Sequence, residues 1–441
     1  MSVSSSSSIY RLQPVHDHHH HHNDQAVGDD EGDDEHPIAY EIEDQSNLDR
    51  TFFKIRYRSN SAVSNTSSNE LSHSITALTP LSINNASPNV STAITTPAVL
   101  PIIKVLGTGG TIASKGQSSH QTAGYEVDLT IEQLVQSIPD ISSTCLLEYE
   151  QIFNIDSKEF DTSHLLQLYT KIVEDLSHYD GIVITHGTDT MEETAFFLQS
   201  TINTFKPIVI CGSMRPSTAI SSDGPMNLYQ AIVIASNRES RGRGVLIALN
   251  DRIGSGYYIT KSNANSLDTF KSIGQGYVGN FVNNEIHYYY PSAKPLGLTY
   301  FNLTDDNNED ATTIILPQVH IIYAHQGLDN QLLKLTIEQL HSQGLVIATM
   351  GAGSLSDETN QYLYDLIGNT TFPVVYAKRS MDGMVPIGSI PKVLSEDEKR
   401  INFNNAIAGG YLNPQKARIL LQLCLNQGLD LNEIKKVFKG V

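Results

Sequence analysis

From residue 99 onward, short and almost continuously apolar runs alternate with longer stretches whose apolar residues recur every three or four positions. The runs fall at 100–106 (LPIIKVL), 181–185 (GIVIT), 207–211 (PIVIC), 245–249 (VLIAL), 319–323, 345–349 and 373–376. A strand with one face in water alternates polar and apolar residues, whereas a run apolar throughout belongs to a strand covered on both faces. The intervening periodicity predicts helices over 162–176, 191–201, 225–236, 330–343 and 414–425. Strand–helix alternation of this kind predicts an α/β fold with a mostly parallel sheet.

The pattern is absent from residues 1–98 and lapses again between 291 and 314. The first segment contains the run Ser4–Ser8, five consecutive histidines (His18–His22), an acidic block at 29–35 and a long Ser/Thr/Asn stretch. It holds 13 acidic and 5 basic residues, a charge of −8. Such a segment has too little apolar surface to offset the entropy of ordering, which predicts a disordered low-complexity acidic tail. Its one denser patch is TFFKIRYR, residues 51–58. The second lapse is rich in Pro, Asn and Asp and reads as a linker. The predicted organisation is a tail (1–98), a larger N-terminal domain (99–290), a linker (291–314) and a smaller C-terminal α/β domain (315–441).

Charge narrows the function. With 48 acidic and 29 basic residues in 441, the formal charge is −19. No basic surplus exists to neutralise nucleic-acid phosphates, so no nucleic-acid partner is expected. No apolar run approaches the roughly 20 residues of a membrane-spanning helix, so no membrane association is expected either. Cys145, Cys211 and Cys424 form neither a disulfide framework nor a metal-binding spacing. Sparse thiols and an N-terminus unlike a secretory signal predict a cytoplasmic protein. Sequons at Asn65, Asn85 and Asn89 keep a secreted or cell-wall form as the alternative.

Two loops carry candidate chemistry. The first strand runs into GTGGTIAS, which matches no Walker A motif and opens no apolar-periodic helix, so it is not a phosphate cradle. Its glycines instead expose backbone N–H groups beside Thr111, as an oxyanion hole requires. The polar segment after it reads as a mobile lid with Tyr125 at its far hinge. The second loop, THGTDT after the strand at 181–185, brings Thr188 and Asp189 to the carboxyl end of a parallel strand. There, Thr190 with Glu193 has the spacing of a capping box, and His186 suits a structural hydrogen bonder. A hydroxyl needs a base to act as a nucleophile, and Lys261 in ITKSNAN is the candidate, provided its surroundings suppress its charge.

GTGGTIAS and GIVITHGTDTMEETAFFL resemble the two signature segments of the bacterial-type L-asparaginases, the asparaginase/glutaminase family. RPSTAISSDGPMNLYQA, TKSNANSLDTFKS and GYLNPQKARILLQL match as well, and the resemblance covers 99–441. It implies hydrolysis of the side-chain amide of L-asparagine to aspartate and ammonia, with minor glutaminase activity and no cofactor or metal. It implies Thr111 as nucleophile aided by Tyr125, with Thr188, Asp189 and Lys261 as the second cluster. Attack by Thr111 itself or by an activated water stays open on residue types. Ser157 then meets the substrate α-carboxylate, and Asp189 its ammonium. Lys158 departs from the family's Gln or Glu: it must turn away, pair with an acid such as Glu159, or meet the carboxylate. Ser354 stands where some members place an asparagine from a neighbouring subunit, and Glu398, or Glu396, where they place a glutamate. The implied assembly is a homotetramer. Two other readings stand beside this one: an ammonia-supplying amidotransferase subunit, and an inactive scaffold whose tail recruits partners.

Overall fold

The computed structural model describes residues 35–46, 50–59, 99–304 and 311–441, the first two stretches as backbone only. Glu35–Ser46 and Arg50–Ser59 pair as an antiparallel ribbon. The ribbon falls inside the segment expected to be disordered and includes the 51–58 patch; the rest of that segment, with the histidine run, lies outside the described residues. The two larger sheets belong to a separate compact unit, Thr96–Val441.

The first of them has eight strands: β1 (Ile102–Gly109), β2 (Leu146–Ile155), β3 (Gly181–Thr185), β4 (Ile208–Cys211), β5 (Val245–Leu249), β6 (Arg252–Ser255), β7 (Gly279–Val282) and β8 (Glu285–Tyr288). Their spatial order is β8-β7-β6-β5-β4-β3-β1-β2. The five strands from β5 to β2 are parallel, and β6, β7 and β8 extend the sheet as an antiparallel meander. The second sheet, β9 (Val319–Tyr323), β10 (Gly344–Thr349), β11 (Val374–Lys378) and β12 (Ala406–Ala408), is parallel throughout.

The continuous apolar runs have the expected cause. In β3, Ile182 and Ile184 enter one core cluster while Val183 enters another, and in β5 Ile247 and Ala248 divide in the same way. Helices α2 (Thr162–Asp175) and α3 (Met191–Thr201) supply one of these layers; α1 (Ile131–Gln136) and α4 (Gly224–Ser236) supply the other. In the second sheet, α5 (Asn330–Glu338) and α6 (Asp357–Ile367) cover one face. Helix α7 (Pro414–Asn426) packs on the other and against α3, and α8 (Leu431–Phe438) follows it. The core containing Ile184, Ile210 and Ile247 also contains Val346, Val375 and Ile407, so the two sheets share one apolar interior. The three cysteines are buried free thiols.

Strand order places the site. From β1 the chain moves outward to β2, then crosses back to β3 on the opposite side of β1. The loops after β1 and β3 therefore leave neighbouring strands at the carboxyl edge, at the switch point where the ligand crevice of such sheets usually lies.

Candidate active site

Thr111 follows β1, Ser157 follows β2 and Thr188 follows β3, so all three sit at that carboxyl edge. Glycine brings their loops together. Gly110 adopts φ 83°, and a Cβ there would stand 2.4 Å from the Gly187 Cα. A Cβ on Gly187 would stand 2.5 Å from Ser157 Oγ. Thr111 and Thr188 are thus the residues immediately after two glycines in backbone contact. Gly110→Ala pairs a forbidden Cβ approach with a conformation that disfavours any L side chain. It is expected to destabilise the protein by at least about 2 kcal/mol and to lower turnover by about 100-fold. Gly276→Ala, with a similar φ of 78° but nothing within 4 Å, serves as the control and should cost only about 1 kcal/mol. Thermal melts and turnover measured on the pair decide this, and equal effects would refute the contact argument.

The Thr111 hydroxyl lies 3.1 Å from that of Tyr125. Thr111–Ala113 form a single 3-10 turn, followed by the strand Ser114–Lys115, which pairs with Glu126–Val127. The polar segment between these strands rests on Ser217, Thr218 and Ile220. Ser217 N–H and Oγ both donate to the Ser114 carbonyl at 2.9 and 2.8 Å, Gly116 N–H donates to Thr218 Oγ1 at 2.8 Å, and Ile220 N–H donates to the Ser119 carbonyl at 2.7 Å.

Across the crevice, Lys261 Nζ donates to Thr188 Oγ1 at 2.9 Å and to Asp189 Oδ1 at 2.6 Å. Thr188 is buried, and the Lys261 side chain is only 16% exposed. The Asp189 side chain is 60% exposed. An ion pair this open to water contributes roughly 0–1 kcal/mol. It is therefore cheap to break, and the carboxylate is available to an incoming ammonium. Ser157 is buried and accepts the Asp189 N–H on its Oγ at 3.2 Å.

One local expectation needs correction. Thr190 makes no side-chain cap; its Oγ1 donates instead to the Ser157 carbonyl at 2.9 Å. Its backbone, at φ −116° and ψ 10°, lies outside the extended conformation of a capping residue, and the bond ties the β3 loop to the β2 loop. Lys158 turns toward solvent, one of the alternatives left open for it, and its near acid is Asp156, at 3.7 Å.

His186 is fully buried, with Nδ1 2.7 Å from the Gly187 carbonyl and Nε2 3.0 Å from Thr194 Oγ1. This is the structural role expected of it. Burial pulls its pKa from the ordinary 6.5 down to about 4. The folded state therefore holds the neutral ring where the unfolded chain would already bind a proton. The resulting stability is complete above about pH 6.5 and is lost as pH falls through 4, a loss of about 3 kcal/mol. Urea unfolding between pH 7.5 and pH 4 should show a shallower pH slope for His186→Gln than for the wild type. Coincident slopes would contradict this assignment.

Ser354 and Glu398 lie on exposed loops of the second sheet. The Ser354 carbonyl accepts from Met350 N–H, and Glu398 sits at φ 57° in the turn between the strands Lys392–Leu394 and Arg400–Asn402. Glu396 lies in the same turn. Among the described residues, no hydrogen bond joins Ser354, Glu396 or Glu398 to the threonine cluster. Likewise, no group of three His, Cys, Asp or Glu side chains suited to a metal ion occurs among the described residues. No described helix is long and apolar enough to cross a membrane.

Residues 102–294 match the family model for the asparaginase N-terminal domain, and residues 318–438 match that for the glutaminase/asparaginase C-terminal domain. The chain is 48% identical over 350 residues to L-asparaginase 2-3 of Saccharomyces cerevisiae, covering 78% of this chain and 91% of the relative. It is 37% identical over 340 residues to L-asparaginase 2 of Escherichia coli, covering 77% and 93%. The crystal structure of a probable cytoplasmic L-asparaginase from Campylobacter jejuni is similar, with a TM-score of 0.69 and 36% identity, and the match covers 77% of this chain and 100% of that one.

Proposed function

This chain belongs to the L-asparaginase family and is an amidohydrolase, and from that premise we propose that it hydrolyses L-asparagine with Thr111 as nucleophile and Thr188, Asp189 and Lys261 as the supporting cluster. The observation that carries the proposal is the Lys261 Nζ–Thr188 Oγ1 hydrogen bond, 2.9 Å long, in the loop whose Gly187 meets Gly110. Two hydroxyls, each with its own hydrogen-bonding neighbour, then follow directly on two glycines in contact.

In this reading Asp189 leaves Lys261 for the substrate ammonium, and Ser157 holds the α-carboxylate. Lys158, solvent-directed, stays away from the ammonium. Thr111 Oγ1 attacks the amide carbon, and backbone N–H groups beside Thr111 stabilise the oxyanion. Tyr125 assists removal of the Thr111 proton, which Thr188 passes to Lys261 and which returns to the departing amide nitrogen. The amide nitrogen takes up a proton and leaves as ammonia. Water then cleaves the ester on Thr111, releasing aspartate and restoring the hydroxyl. One water is consumed per amide broken, and no cofactor takes part.

Ser354 and Glu398 enter this scheme through a second copy of the chain, in a tetramer whose neighbouring subunits complete each other's crevices. The cytoplasm is the compartment proposed, in line with the Campylobacter relative described as cytoplasmic. The test is a coupled ammonia assay on the purified full chain with L-asparagine and L-glutamine side by side. The expected result is equimolar aspartate and ammonia, with kcat/KM at least about tenfold higher for asparagine. No ammonia from asparagine, or equal use of both amides, would overturn it.

A further inference from the structure

The Gly410–Leu423 segment has no part in the site described so far, yet two side chains near the start of α7 turn inward. Lys416 is 2% exposed, and its Nζ donates to the carbonyls of Tyr257 and Ile259 at 2.8 and 2.5 Å. These residues lead directly into Thr260 and Lys261. Asn413 caps α7 by accepting the Lys416 N–H on Oδ1 at 2.9 Å. Its Nδ2 faces two further oxygens, Glu192 Oε2 at 3.3 Å and Thr260 Oγ1 at 3.4 Å. Glu192 is buried in the first turn of α3, three residues after Asp189.

A buried carboxylate needs nearby positive charge and hydrogen-bond donors. Here the charge comes from Lys416 and Lys378, both buried. Burial pulls the Lys416 ammonium down to about 8, and Glu192 acts in the opposite direction. The Thr188–Asp189 segment and the Lys261 segment are therefore both anchored to one helix that belongs to the other sheet.

We propose that Asn413 and Lys416 are positioning residues that set the separation of Thr188 Oγ1 and Lys261 Nζ. The inference rests on the reading of Lys261 as proton acceptor given above. Proton transfer depends steeply on the approach of donor and acceptor, and a misplacement of about 1 Å costs on the order of 100-fold in rate. A ruler anchored in the second sheet holds that distance without touching substrate.

Asn413→Asp isolates the bridge. It keeps an oxygen for the α7 cap but replaces the Nδ2 donor with an oxygen facing Glu192. The expected result is a fall in kcat of about tenfold or more with KM changed less than about threefold. In the double variant Asn413→Asp with Glu192→Gln, donor and acceptor exchange places and the number of buried carboxylates is unchanged. It should return kcat to within about threefold of wild type. Wild-type kcat in the single variant, no recovery in the double, or parallel changes in kcat and KM would each overturn the proposal.

Should Asn413→Asp fail to fold, Thr260→Val decides instead. It removes one acceptor of the bridge and leaves the cap and the buried charges in place. A fall in kcat of about threefold or more at an unchanged melting temperature supports the proposal, and wild-type kcat overturns it. Failure of the underlying reading is distinguishable, because it would show as turnover retained by Lys261→Met. A dead Lys261→Met together with an unaffected Asn413→Asp refutes the positioning role alone.

Discussion

Thr111→Ala is expected to lower kcat for asparagine by about 10⁴-fold while leaving the protein folded and KM within a few fold. The size follows from what is removed. Thr111 caps no helix, and its only side-chain hydrogen bond among the described residues is to the Tyr125 hydroxyl. It is partly exposed, so truncation leaves no large cavity, and the cost in stability should stay within about 1 kcal/mol. Asp189 and Ser157, which receive the two charged ends of the substrate in the proposed scheme, remain in place. Binding should therefore survive while chemistry does not. Thr111→Ser restores an oxygen and should recover turnover to within about 100-fold of wild type. Stopped-flow ammonia release with direct binding of L-aspartate separates the two effects. An alanine variant retaining more than a few per cent of wild-type turnover would remove Thr111 from the mechanism.

That the Thr111 and Thr188 loops meet was only partly legible in the chain. The strands at 181–185, 245–249 and 345–349 were readable because each is buried on both faces, which leaves an apolar residue at nearly every position. β2 was not. It is an edge strand whose residues are exposed or half-buried, and LLEYEQIFNI has neither a continuous run nor clean alternation. β6, β7 and β8 escaped notice for a related reason: each has only four residues, the long excursion 256–278 separates β6 from β7, and an Asn-Asn turn joins β7 to β8. The predicted helix at 330–343 stops at Glu338 because the chain turns through a positive φ at His341 before β10.

The site divides along the same line. Both threonines, Asp189 and Lys261 were visible because each lies in a motif with its own local logic. The contacts between motifs were not. Gly110 against Gly187 is a pairing 77 residues apart, and the bond from Thr190 to Ser157 spans 33. A local reading therefore assigned Thr190 to its own helix, when its hydroxyl was already committed elsewhere. The roles of Asn413 and Lys416 were hidden more deeply, because their partners come from the other sheet.

The second large effect expected is at Lys261. Lys261→Met should reduce kcat by about 10³-fold. Methionine preserves the length and much of the apolar contact of the stem, so packing against the largely buried side chain is kept. What disappears is the donor to Thr188 Oγ1 and the ion pair with Asp189. The pair is too exposed to matter much for stability, so the melting temperature should change little, by about 2 °C or less. Lys261→Arg gives the sharper contrast. It preserves the positive charge beside Asp189, yet its guanidinium does not release a proton in this pH range. If Lys261 acts only as an electrostatic tether, arginine should retain most of the activity. If it carries a proton, arginine should be nearly as inactive as methionine. Ammonia release by the three proteins, compared across pH 5.5–9.5, therefore separates proton acceptance from simple charge, and an active arginine variant would end the proton-acceptor reading.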